Sequence, residues 1–150
     1  MGRRTAAMVT AGVLLVEAVG AVAIHGVLAV VVEGQNMSLD GLAPDVMVTA
    51  TWAAGLALGV LLGACALVAL RLGVRDRAPG GFAHALLVCA AVVHGVLGAL
   101  AVGLVGWSAF VLLMAVLALL VWVLVSYGRR QPQARTPADG ALPSSGVAPA

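Results

Sequence analysis

Four long apolar stretches dominate the hydropathy pattern of the chain. They cover residues 5–32, 46–70, 82–105 and 108–127. The hydrocarbon core of a bilayer is about 30 Å thick, and about 20 helical residues cross it. Each stretch is continuously apolar, whereas the strands of a membrane barrel alternate between apolar and polar residues, so we predict helices. The pattern therefore predicts an all-α transmembrane four-helix bundle with short loops.

The third and fourth stretches are separated only by Gly106 and Trp107. A single helix over both would be about 69 Å long, roughly twice the thickness of the hydrocarbon core. The chain is therefore expected to fold back in a tight hairpin. Gly106 can adopt the left-handed conformation that ends a helix, and Ser108 is the expected N-cap of the next helix.

Composition excludes several classes of protein. Of the 150 residues, 63% are hydrophobic and only 9% are charged, whereas about 25% of the residues in a soluble domain are charged. A soluble enzyme, a nucleic-acid-binding protein and a disulfide-stapled secreted domain are all excluded on this ground. The sequence also contains no phosphate loop, nucleophile elbow, metalloprotease helix or dinucleotide fingerprint. We therefore expect neither catalysis nor a bound cofactor or metal.

The arginines indicate how the chain sits in a membrane. All eight basic residues are arginine. They precede the first stretch, separate the second from the third, and follow the fourth, as Arg3, Arg4, Arg71, Arg75, Arg77, Arg129, Arg130 and Arg135. With four spans, these three places lie on the same side of the bilayer. The positive-inside rule then predicts that both termini are cytoplasmic and that the partner is the lipid bilayer of the cell membrane.

The two ends of the chain differ in composition. The first stretch is longer than the apolar region of a signal peptide, so we expect it to remain as a span. Residues 129–150 contain four of the six prolines, together with Gln, Ser, Gly and Ala. Such a segment buries too little apolar surface to offset the entropy lost on ordering. We predict a transmembrane domain over residues 1–128 and a disordered cytoplasmic tail over residues 129–150.

Small residues recur every four positions in two of the stretches. Helices associate in lipid where small residues allow close backbone approach. We predict packing along these rows, either between the second and third spans or against the first, unless the abundance of Gly and Ala produces the rows by chance. A second copy of the chain or another membrane protein could use the same rows. Their members are Gly55, Gly59 and Gly63 in the second stretch and Ala91, Gly95, Ala99 and Gly103 in the third.

Two ionisable residues fall near the middle of the predicted spans. Glu17 and His94 each lie about 18 Å from the start of their stretch, counted at 1.5 Å per residue. Ionisable groups at this depth are costly and are functional candidates by default. If the two side chains meet, they could relay protons through the membrane. The alternative is a structural hydrogen bond between the first and third spans.

A short repeat supports a second depth assignment. The tetrapeptide His-Gly-Val-Leu at 25–28 recurs at 94–97. If the repeat marks a shared depth, His25 becomes central and Glu17 lies close to the inner leaflet. The two assignments place different residues beside His94, and we favour the pairing with Glu17.

Two resemblances bear on function. Residues 11–20, Ala-Gly-Val-Leu-Leu-Val-Glu-Ala-Val-Gly, resemble the first helix of small multidrug resistance exporters, in which a membrane glutamate exchanges protons for cationic drugs. The similarity covers Glu17 and Gly20. Across its whole length, the chain more closely resembles uncharacterised four-span integral membrane proteins of high-GC actinobacteria, including the segments 37–42 and 92–100. That resemblance implies topology and location but no activity.

Two functions follow from these observations. The first is a non-catalytic membrane interaction or accessory protein, which fits the small-residue rows and the missing catalytic motifs. The alternative is a small proton-coupled transporter that uses Glu17 together with His94. The surroundings of Glu17 discriminate between them, because a transporter needs this carboxyl group to face a cavity.

Overall fold

The chain forms four α-helices in the computed structural model, which describes residues 2–35, 41 and 43–128. The helices are α1 (Arg3–Gln35), α2 (Pro44–Arg75), α3 (Gly81–Leu104) and α4 (Trp107–Gly128). Each is long and apolar enough to cross a membrane, and the described residues contain no strand. The prediction of an all-α, multi-pass membrane architecture is confirmed. The predicted tail, 129–150, lies outside the described residues.

The four helices form two hairpins. α1 packs mainly against α2, and α3 packs mainly against α4. The contacts between the two hairpins are less extensive than those within each hairpin. α1 and α2 contain 33 and 32 residues, against 24 and 22 in α3 and α4. At 1.5 Å per residue, the first hairpin is roughly 15 Å longer than the second. Because the two hairpins contact each other less than the helices within each hairpin do, the space between the hairpins is the least tightly packed part of the bundle.

One end of the bundle joins the start of α1 to the ends of α2 and α4, and we call it the arginine end. Arg3 donates a hydrogen bond to the carboxylate of Asp76, just after α2. The guanidinium carbon of Arg3 also lies 5.4 Å from the ring centroid of Tyr127, near the end of α4. The Tyr127 hydroxyl donates to the Leu72 carbonyl at 3.0 Å. These contacts hold three helix termini together.

The carbonyls at the end of α2 receive donors from outside the helix. The last carbonyls of any helix lack partners within it. Here Arg4 Nε donates to the Gly73 carbonyl at 3.1 Å. Gly73 also allows α1 to approach closely, because a Cβ at this position would lie 2.9 Å from Met8 Cγ. Asp76 ends the helix in the left-handed conformation, with φ at 51°.

The connection between α3 and α4 turns at Gly106, whose φ is 113°. The Gly106 N–H donates to the Ala101 carbonyl, and the Gly106 carbonyl accepts from the N–H of Phe110. Gly106 therefore occupies the N-cap position, and α4 begins at Trp107. The expectation that Ser108 is the N-cap is wrong, because the tight glycine turn starts the helix early and places Ser108 in its first turn.

The core is built from small and aliphatic residues. Large apolar side chains such as Val19, Val60 and Leu104 are instead exposed on the outside of the bundle, as expected of a surface that faces lipid. Cys65 is buried, and its thiol donates to the Leu86 carbonyl at 3.6 Å. The core cluster comprises Ala7, Leu14, Ala18, Leu62, Cys65, Ala66, Leu72, Leu87, Ala90, Val116, Leu120, Val123 and Tyr127.

Candidate functional site

Glu17 and His94 meet between the two hairpins. His94 belongs to the buried face of α3, where it is four residues from Ala90 and from Gly98, so its ring points into the bundle and is 2% exposed. Glu17 lies on α1 beside the buried Ala18, and its side chain is 18% exposed. The helical repeat of α1 and α3 thus places a carboxyl group and an imidazole near the middle of the bundle.

The hydrogen bonds of His94 determine how many protons the pair holds. The Nδ1 atom lies 2.7 Å from the Ala90 carbonyl oxygen. A carbonyl only accepts, so Nδ1 carries a hydrogen and donates it. The Nε2 atom lies 3.0 Å from Glu17 Oε2, and this bond needs one further hydrogen, on either the carboxyl group or the ring. The contact between Glu17 Oε2 and His94 Nε2 therefore requires one hydrogen between the two atoms.

The pair lines a cavity of about 400 Å³ to which all four helices contribute. Pockets of about 300–1,000 Å³ are typical of small-molecule sites. Apart from Glu17, His25 and His94, the lining side chains are apolar. They are Val16, Ala21, Ile24, Leu58, Leu62, Val93, Leu97, Leu112 and Leu113, together with Gly20. The cavity thus presents one carboxyl group and two imidazoles on an apolar wall.

His25 lines the same cavity at a different depth. It is eight residues from Glu17 on α1, about 12 Å along the helix axis. Its Nδ1 lies 2.8 Å from the Ala21 carbonyl, the same local contact that His94 makes. The structure therefore places His94 at the same depth in the bundle as Glu17, and not at the depth of His25. All three predicted polar residues line the same cavity.

The glycine row of α2 lies partly against α1. A Cβ at Gly55 would collide with the His25 side chain, so this glycine makes room for the imidazole. A Cβ at Gly59 would lie 2.5 Å from Val22 Cγ2. Gly63, the third member, has open space beside it. The structure thus places two of the three glycines in the contact between α1 and α2.

The predicted row of α3 lies mostly on an open face. Ala91 packs against the core cluster. Gly95 and Gly103 have no atom within 4 Å of the position that a Cβ would take, and Ala99 is exposed. Three of the four members therefore have no neighbouring helix in the described part of the chain.

Sequence reasoning missed two close contacts that shape the bundle. Gly98 is buried against α4, where a Cβ would meet the terminal methyl group of Met114. Gly73 is buried against Met8 of α1. For Gly98 a signal was present, because it follows His94 by four residues and so shares its face. For Gly73 no comparable signal exists, because the contact depends on how far α1 extends.

Comparison with known protein families, with curated proteins and with solved structures finds no match for this chain. The geometry of the site is therefore the basis for a functional assignment. In chemical terms, the site can hold a proton in apolar surroundings and offers a carboxyl group to whatever enters the cavity.

Proposed function

We propose that the protein is a small proton-coupled transporter of the cytoplasmic membrane that uses Glu17 together with His94. The observation that carries the proposal is the pairing of these side chains at 3.0 Å on the wall of an apolar cavity. A hydrogen bond that served only to join two helices would not require the carboxyl group to face an open space.

The orientation follows from the distribution of charge. Arg3 and Arg4 at the start of α1, Arg71 and Arg75 at the end of α2, and Arg77 just after it lie at the arginine end. By the positive-inside rule, this end faces the cytoplasm. Both termini are then cytoplasmic, and the cavity lies about midway between the two membrane surfaces.

Exchange of a proton for a cation follows from charge balance at the pair. With its one exchangeable proton, the pair is neutral overall. If the proton leaves, Glu17 is a carboxylate in apolar surroundings, which is costly unless a positive charge replaces the proton. A monovalent cation in the cavity restores neutrality, while His94 keeps its Nδ1–H bond to Ala90. Proton and cation therefore compete for one site, which is the requirement for antiport.

The apolar wall indicates the class of cargo. A hydrated inorganic ion would lose its water shell against these aliphatic side chains without replacement ligands. A lipophilic organic cation instead contacts the wall with its apolar surface and pairs with Glu17 through its charge. The resemblance of residues 11–20 to the first helix of small multidrug resistance exporters supports the same class.

Uptake into liposomes tests the proposal, with tetraphenylphosphonium as the probe and a pH gradient as the driving force. We expect gradient-dependent uptake by the wild-type protein and its loss in Glu17→Gln. Glu33→Gln is the matched control, because Glu33 is an exposed acid on the same helix and this variant should transport normally. Wild-type uptake no greater than in protein-free liposomes, or undiminished uptake by Glu17→Gln, would contradict the proposal.

The second candidate function is a membrane interaction or accessory protein without flux. It is favoured by the open face of α3, where Gly95, Ala99 and Gly103 leave room for another helix. Small residues at this spacing allow close helix association in lipid. Cross-linking in nanodiscs tests it: Gly103→Leu should reduce cross-linking to a partner or second copy, and unchanged cross-linking would contradict it.

A further inference from the structure

A cleft of about 270 Å³ lies at the arginine end, between the last turns of α2 and the start of α3. Three arginine side chains line it. Arg71 and Arg75 are four residues apart and so lie on the same face of α2, while Arg77 comes from the connection to α3. Three like charges are thus gathered around one small space.

The described acidic side chains do not neutralise this cluster. Glu17 is paired with His94, and Asp76 is engaged by Arg3. Glu33 and Asp45 lie at the opposite end of the bundle, near the end of α1 and the start of α2. Within the described residues, Arg71, Arg75 and Arg77 make no ion pair or hydrogen bond. Among the described residues no acid balances this cluster, and its positive charge attracts an anion.

The residues that line the cleft indicate which anion it would bind. Guanidinium groups bind phosphate oxygens through paired N–H donors. The cleft also has apolar walls, provided by Val68, Leu72 and Ala83. A phosphate attached to a glycerolipid would place its charge on the arginines and its apolar part against these walls.

We infer that this cleft binds the phosphate group of an anionic phospholipid. The site lies at the end of α2, away from the cavity of Glu17, so the inference does not depend on transport. Free phosphate offers the same chemistry to the arginines but makes no use of the apolar walls. The binding test therefore includes both sources of phosphate.

Native mass spectrometry of the full chain in detergent measures the binding, with phosphatidylglycerol as the probe and phosphatidylcholine as the zwitterionic comparison. The wild type should retain phosphatidylglycerol preferentially. Arg75→Gln should weaken that binding about five-fold, the effect of removing one basic residue from a lipid contact. Arg135→Gln is the matched control, because it removes the same charge at a position 60 residues further along the sequence, and it should bind as the wild type does.

Two further measurements distinguish the effect of charge from an effect on folding, and lipid phosphate from free phosphate. Arg75→Lys keeps the charge but loses the paired donors, so its affinity should fall between those of the wild type and Arg75→Gln while its helix content is unchanged. Millimolar inorganic phosphate that displaces the lipid would support a site recognising phosphate from either source, and failure to displace it would support recognition of the lipid as a whole. Equal binding of both lipids, or equal weakening by Arg75→Gln and Arg135→Gln, would overturn the inference.

Discussion

Glu17 of α1 and His94 of α3 are hydrogen-bonded across the space between the two hairpins, with 3.0 Å between Oε2 and Nε2. The contact lies where the two hairpins touch over a small area. Because the hairpins pack loosely there, a cavity remains beside the pair. The fold therefore places its central polar pair at the point where space is available. A polar pair sealed within tightly packed helices would have no ligand to meet.

The hydrogen bond and the negative charge of Glu17 can be separated by substitution. Glu17→Gln keeps a donor for His94 Nε2 through the amide group, so this variant should unfold in detergent at the wild-type temperature. Glu17→Leu removes the bond and should lower the free energy of unfolding by about 0.6 kcal/mol and by at most about 1.7 kcal/mol, the mean and the maximum measured for hydrogen bonds within a membrane protein. Thermal unfolding followed by circular dichroism provides the comparison.

A double-mutant cycle shows whether that loss comes from the pair itself. His94→Leu should cost little more in the Glu17→Leu background than the packing change alone, because the bond is already absent. If the two substitutions are additive, the pairing of Glu17 with His94 does not contribute to stability.

The glycines of α2 should differ in their tolerance of a side chain. At Gly59 the new Cβ of Gly59→Leu would stand 2.5 Å from Val22 Cγ2, so either the Val22 side chain must shift or α1 and α2 must move apart. Overpacking of this kind costs about 1–3 kcal/mol. Gly63→Leu inserts the same residue where the space is open and should change stability by less than about 0.5 kcal/mol. Equal stability of the two variants would show that α1 does not approach α2 at Gly59.

The pattern of small residues predicts some helix contacts and misses others for a geometric reason. Each residue turns an α-helix by about 100°, so a strict four-residue row rotates by about 40° at every step. Gly63 is two steps from Gly55 and has turned away from α1. The buried face of α2 instead alternates steps of four and three, through Gly55, Gly59, Leu62, Ala66, Ala69 and Gly73.

In α3 the predicted row of small residues lies even further from the buried face of the helix, for the same geometric reason. The predicted row begins at Ala91, one residue after the buried Ala90, and is therefore rotated by about 100° from the buried face. Small residues occur on both faces of α3, so their positions alone do not predict which face is buried. His94 was the better guide, because a polar side chain in a span turns toward a partner or a cavity, and its face contains Gly98.

The candidate site was predictable in its members but not in its setting. Counting residues from the start of each span brings Glu17 and His94 to one depth, since both helices start at the same end of the bundle. The cavity could not be predicted, because it depends on the packing between two hairpins of unequal length. The contacts of Arg4 with α2 could not be predicted either. An arginine next to a span predicts the orientation of the chain in the membrane, but not which carbonyl groups it binds.

The Tyr127 hydroxyl should contribute measurably to the arginine end. Tyr127→Phe removes its donor to the Leu72 carbonyl while keeping the ring near Arg3. A hydrogen bond of this kind is worth about 1 kcal/mol. Chemical denaturation in detergent should therefore show a loss of that size. A variant as stable as the wild type would indicate that the Asp76 N–H, which also reaches this carbonyl, is sufficient.

The orientation can be measured on intact cells. In a background where Cys65 and Cys89 are replaced by alanine, a single cysteine is introduced as Gln35→Cys, at the end of α1, or as Ser145→Cys, near the carboxyl terminus. A membrane-impermeant maleimide should label the first before lysis and the second only after lysis. Labelling of Ser145→Cys on intact cells would place the arginine end outside and contradict the proposed topology.

Proton release on cation binding tests the shared proton of Glu17 and His94 most directly. Purified protein in weakly buffered detergent is titrated with tetraphenylphosphonium while the pH is recorded. Charge balance at the pair predicts about one proton released per cation bound, and none from Glu17→Gln. Binding without proton release, or equal release from Glu17→Gln, would show that the pair does not exchange its proton for the cation.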